Sequence, residues 1–168
     1  MNLVTRSTLL HLRFPFSLFL LPVFIFAVSQ SRAADPADVL LVFLVWHLFV
    51  YPASNGYNSY FDRDTESIAL LKDPPPVDRG LYRTSLLLEL AGLLLALLVN
   101  PEFCFSVFLY GVLSKMYSHP LIRLKKYPVL SFLVVFIFQG AFVYWSSYAA
   151  VSGLSMWAHW NLDPAFRI

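Results

Sequence analysis

The chain has 168 residues, 58% of them hydrophobic and only 13% charged, which excludes a soluble domain of ordinary composition and points to lipid as the solvent for the excess apolar surface. A formal net charge of +2 says nothing about partners as a total, and one cysteine, Cys104, excludes an internal disulfide. Apolar stretches of about 20 residues match a hydrocarbon slab about 30 Å thick. The first such run is Leu9–Val28, which follows Arg6, contains Arg13 and is interrupted by Pro15 and Pro22. Val39–Ser54, Leu81–Val99, Phe103–Tyr117 and Val129–Ala150 follow, joined by short polar connections. Backbone groups in hydrocarbon must be satisfied within the segment, so the runs predict an all-α membrane protein of about five transmembrane helices. The chain reads as a single transmembrane domain over 1–168, with about 9–150 in the membrane and 151–168 as a C-terminal tail.

The charges sort by connection. Arg63, Lys72, Arg79 and Arg83 lie between the second and third runs, and Lys115, Arg123, Lys125 and Lys126 around the connection of the fourth and fifth. Arg32 stands in the first connection beside Asp35 and Asp38, and Asn100-Pro101-Glu102 carries no cation. The positive-inside rule then places the N-terminus and both basic loops in the cytoplasm and the C-terminus outside, with Trp157 and Trp160 as an interfacial anchor. Basic residues, the run Phe14–Val28 and small residues at Ser31 and Ala33 also resemble a cleaved secretory signal. Removing that run would invert an otherwise consistent charge pattern.

The second run continues into Ser54-Asn55-Gly56-Tyr57-Asn58-Ser59-Tyr60-Phe61-Asp62-Arg63-Asp64-Thr65-Glu66. If the helix persists, Asn58, Asp62 and Glu66 share one stripe, because residues four apart are stacked neighbours. Three oxygen donors on a stripe suit magnesium, which binds few carboxylates and takes its other ligands from water and phosphate oxygens. Solvated charges at a helix end are the plain alternative. The nearby cations Lys72, Arg79, Arg123, Lys125 and Lys126 favour a diphosphate site, in which they would take up charge as a leaving group departs. Two ionisable residues lie inside the runs. His47 is expected to hydrogen-bond a neighbouring helix, and Glu89 to be neutral, paired or facing a polar cavity.

These residues resemble the UbiA superfamily of intramembrane prenyltransferases. Asn58-Ser59-Tyr60-Phe61-Asp62-Arg63-Asp64-Thr65-Glu66 is similar to the family's first acidic motif, Asn-Asp-x-x-Asp-x-x-x-Asp, with Ser59 and Glu66 replacing the first and last Asp. Tyr117-Ser118-His119-Pro120-Leu121-Ile122-Arg123-Leu124-Lys125 is similar to its Tyr-Ser-x-Pro-Pro-x-Arg-x-Lys stretch, and Gln139-Gly140 resembles its fifth helix. The likeness runs from about Leu9 to Tyr148 and implies the first half of a bundle of about nine spans in the inner (plasma) membrane. It also implies Mg2+, an isoprenyl diphosphate donor and a lipophilic or aromatic acceptor, as in quinone biosynthesis. Carried onto this chain, it makes Asp62 and Glu66 catalytic and Asn58, Asp62 and Glu66 metal ligands. Asn58, Lys72, Arg79, Arg123, Lys125 and Lys126 would bind the diphosphate. The family's second Asp-rich motif has no counterpart, Asp163 being the sole acidic residue after Ala150. The chain therefore reads as incomplete, with a further polypeptide supplying the remaining helices, or as a truncated, non-catalytic subunit or scaffold.

Overall fold

A computed structural model describes residues 4–157 and shows five long helical spans; Trp160 and Asp163 lie outside the described residues. The spans are α1, Arg6–Gln30; α2, Pro36–Asp62; α3, Arg79–Val99; α4, Pro101–Ser118; and α5, Pro128–Val151. All but α4 are long and apolar enough to cross a membrane by length and composition. The remaining span, α4, has 18 residues and carries Glu102 near one end and Lys115 near the other. The protein is an all-α membrane protein, as its composition predicts.

Helix starts follow local chemistry. Thr5, Asp35, Asp78 and Asn100 each stand in extended backbone and accept a hydrogen bond from a first-turn amide, removing one of the orphan donors that every helix start carries. Proline follows at Pro36 and Pro101, where its missing N–H costs nothing. The first run is not one smooth helix. Arg6–Leu12 ends where Arg13 turns left-handed (φ 47°), and Phe14–Ser17, the 3₁₀ turn Leu18–Leu20 and Leu21–Gln30 follow. Pro15 and Pro22 each sit in the first turn of a new segment, the place where proline is tolerated. In α2 a π-helical stretch, Val45–Val50, precedes Pro52, whose ring would crowd the carbonyl four residues back; the wider turn relieves that crowding.

In lipid there is no hydrophobic force between helices, so close packing depends on small residues and buried hydrogen bonds. Gly56 faces Ser85, Leu12 and Leu81, and Gly92 faces Phe49 and Val50. The Trp46 indole, fully buried in α2, donates to Ser147 Oγ of α5 at 3.1 Å and stacks on Tyr51. Phe103 and Tyr110 of α4 meet the same indole edge-on. The His47 Nδ1–H donates to the Ser17 carbonyl at 3.0 Å, a bond to the neighbouring helix as expected. Leu87, Leu90, Leu94, Leu97 and Leu98 of α3 and Val129, Phe132 and Phe136 of α5 point outward, the arrangement a lipid solvent requires.

The start of α1, the end of α2, the start of α3, the end of α4 and the start of α5 gather at one end of the bundle, called here the charged end. Its long connection, 63–78, is tied to α1. Thr5 Oγ1 donates to Asp78, Ser7 Oγ to the Pro76 carbonyl at 2.9 Å, and the buried His11 Nε2–H to the Pro75 carbonyl at 2.7 Å.

Candidate functional site

Asn58 and Asp62 stand one turn apart in the last turns of α2, and both face the connection between α4 and α5. The Asn58 side-chain oxygen accepts from Ser118 Oγ at 2.7 Å and from the Lys125 ammonium at 2.8 Å. Lys125 also donates to Asp62 Oδ2, and the Arg123 guanidinium lies 3.5 Å from Asp62 Oδ1. Arg123 is placed by its own backbone, which is left-handed (φ 47°) and starts the 3₁₀ turn Leu124–Lys126. That turn swings Lys125 over α2.

Asp62, Asp64, Arg123, Lys125 and Lys126 together line an open recess of about 410 Å³. The Asp62 and Lys125 side chains are only 12% and 16% exposed, whereas Arg123 is half exposed and Asp64 and Lys126 are exposed, so an ion pair forms the floor of the recess and charges of both signs its water-facing rim. Asp62 Oδ1 is buried and accepts no hydrogen bond. Its compensation is the ion pair with Arg123 at 3.5 Å, which leaves the lone pairs of that oxygen without a close donor. Among the described residues no three or more His, Cys, Asp or Glu side chains converge as a ligand set.

One expectation is corrected. The α2 helix stops at Asp62 because Arg63 takes a left-handed cap (φ 51°), so the stripe of Asn58 and Asp62 does not extend to Glu66. Glu66 is exposed in the following connection. Lys72 and Arg79 are exposed too, and neither is among the residues that line the recess. The structure thus brings together Asn58, Asp62, Arg123, Lys125 and Lys126 and leaves Glu66, Lys72 and Arg79 outside them.

Three residues at the site were not singled out from the sequence. Asp64 lines the recess; its signal was the acidic stretch itself, read with a helical period that the chain abandons. Ser118 holds Asn58 and lies in the quoted Tyr117-Ser118 stretch, where a small polar residue carries no marker of a role. Arg13 Nη2 lies 3.4 Å from the Asn55 side-chain oxygen, one turn before Asn58, and feels the charges of Asp64 and Asp62. An arginine inside an apolar run was its signal.

Further into the bundle, three small clefts share Ser54 and Tyr110. Their walls mix aromatic, aliphatic and small polar side chains and are uncharged except for Glu89 and Lys115. The Ser54 and Ser114 hydroxyls bond at 2.5 Å, and the Gln139 amide donates to the Tyr110 hydroxyl at 3.4 Å.

A membrane-type helical bundle with acidic and basic side chains meeting in a recess at one end defines the class, an all-α membrane protein with a charged site at the end of its helices. The family follows from the chain itself: a sequence model of the UbiA prenyltransferase family matches residues 19–162, and the protein belongs to that family. No curated protein and no solved structure matches the chain.

Proposed function

We propose that the protein transfers an isoprenyl group from an isoprenyl diphosphate to a lipophilic or aromatic acceptor within the membrane, with the diphosphate seated in the recess. The observation that carries this reading is the meeting of Asp62 with Arg123 and Lys125 in one recess of a UbiA-family chain, with Asn58 bonded to Lys125 beside it. Magnesium fits the site in a diphosphate's company, because it is commonly held by one or two carboxylates plus phosphate oxygens, and Asp62 Oδ1, ion-paired to Arg123 but accepting no hydrogen bond, offers such a position once Arg123 turns to the phosphate. Asn58 and Asp62 would hold it, and when bound it would neutralise charge on the departing diphosphate.

The chain's own residues do the rest. Lys125 exchanges its bond to Asp62 for a phosphate oxygen, and Arg123 and Lys126 close on the same anion from the rim. Their fixed positive charge stabilises the transition state as the carbon–oxygen bond ionises. Tyr57, Tyr60, Phe61 and Tyr82 form a continuous aromatic cluster beside the site and present ring faces that favour an allylic cation. Asp64 takes the place first given to Glu66, which would reach the recess only if 63–66 folded back over it. Lys72 and Arg79 add positive potential at the charged end. That end faces the cytoplasm of an inner (plasma) membrane by the charge bias of its loops, and another polypeptide segment supplies a second acidic motif. An acceptor of the quinone-precursor type, lipophilic and aromatic, suits a site at the end of a membrane bundle.

The test is incubation of the protein in lipid nanodiscs with magnesium, radiolabelled isoprenyl diphosphates of graded length and an aromatic acceptor. A covalent product that disappears in Asp62→Ala supports the proposal. Diphosphate binding without product would transfer the chain to the non-catalytic reading.

A further inference from the structure

Glu89 stands in the middle of α3, where an unpaired charge in lipid would be expensive. Lys115, in the last turn of α4, donates to both of its carboxylate oxygens. The same ammonium reaches the Gly111 carbonyl at 3.4 Å and lies 5.7 Å from the centre of the Tyr57 ring in α2. Room for the carboxylate depends on Gly111, because a Cβ there would clash with Glu89 Oε1. Three helices therefore meet at one charged point inside the membrane.

That point adjoins the recess. Tyr57, under the ammonium, precedes Asn58, and Ser118, about one turn beyond Lys115, donates to Asn58 at 2.7 Å. The last turn of α4 thus grips two consecutive residues of α2, and Glu89 of α3 fixes the grip. Without the carboxylate, Lys115 would be free to extend toward the nearby helix end and water, as long cationic side chains do.

We infer that the Glu89–Lys115 pair is a positioning device for the recess, locking the last turn of α4 so that Ser118 keeps the Asn58 oxygen turned toward Lys125. As a statement about ligand binding it rests on the reading of the recess as a diphosphate site. Neither residue touches the diphosphate, so the role is distinct from those of Asp62 and Lys125.

The experiment titrates magnesium pyrophosphate onto the full chain in nanodiscs by calorimetry. Glu89→Gln and Lys115→Met should each weaken binding about tenfold, as Ser118→Ala should, and the exchange E89K/K115E should recover to within about threefold of the parent, the scale on which supporting partners act at metal sites. Single variants that bind like the parent, or an exchange no better than the singles, overturn the inference. A second measurement needs no ligand: nitroxides at Arg63 and Leu121, in a Cys104→Ser background, report the distance between the ends of α2 and α4. That distance should broaden in Glu89→Gln and narrow again in the exchange; an unchanged distribution overturns the inference. A parent that fails to bind pyrophosphate defeats the proposed function instead, and the label distances still decide the clasp.

Discussion

Asp62 owes its setting to the residue after it. Arg63 adopts a left-handed conformation that costs an ordinary side chain about 1–2 kcal/mol, and this stop makes Asp62 the last helical residue. Glycine is the usual occupant of such a cap, so Arg63→Gly should keep the helix end and leave thermal stability equal or higher. Arg63→Val, β-branched at the same φ, should lower stability by about 1–2 kcal/mol in thermal unfolding of the detergent-solubilised protein. The acidic stretch was legible from Asn58 and Asp62, but the departure of Glu66 was not, because an arginine cap leaves no residue-type mark. For Glu89, lipid required that it be neutral, paired or facing a polar cavity, and the structure selects pairing. Its partner was not legible, since Lys115 read as one more cation near a loop.

At the scale of the helix, close approach is the controlling quantity. A Cβ at Gly56 would clash with Ser85 Oγ and come within 2.9 Å of a Leu12 methyl, pressing α2 against both α1 and α3. Gly56→Ala should therefore destabilise the bundle by about 1–3 kcal/mol, the usual cost of overpacking. Gly140, with nothing within 4 Å of its Cβ position, is the control, and Gly140→Ala should unfold at or slightly above the parent temperature in the same assay. Both changes raise helix propensity, so a difference between them reports packing alone. The breaks in α1 were half legible. Pro15 and Pro22 announced them, but the left-handed turn at Arg13 that redirects the chain follows from the tertiary fit and not from a local motif. His47 found a neighbouring helix, as a buried polar group in lipid must.

Across the molecule, apolar length and charge bias carried most of the architecture, because lipid imposes those two patterns more strictly than water does. The five runs coincide with α1 to α5, whose charged end collects the loops richest in lysine and arginine. The contents of the recess depended on side chains far apart in sequence, such as Lys125 with Asp62, and no local period announces such pairs. Orientation is open to direct measurement. In the Cys104→Ser background, a cysteine at Ser67 should react with a membrane-impermeant maleimide only after the cytoplasmic face is exposed, whereas labelling in intact cells would reverse the proposed topology.

The ties between the first helix and the triple-proline connection have a consequence for biogenesis. Thr5, Ser7 and His11 bond to partners 73, 69 and 64 residues downstream. The opening turns thus leave the ribosome long before the strand of chain they must fasten. Until residues 75–78 have followed and the third helix behind them has anchored that connection, the three ties cannot hold. A nascent chain stalled in that interval should be recognised as unfinished and cleared by quality-control proteases, whereas one stalled after the third insertion should persist.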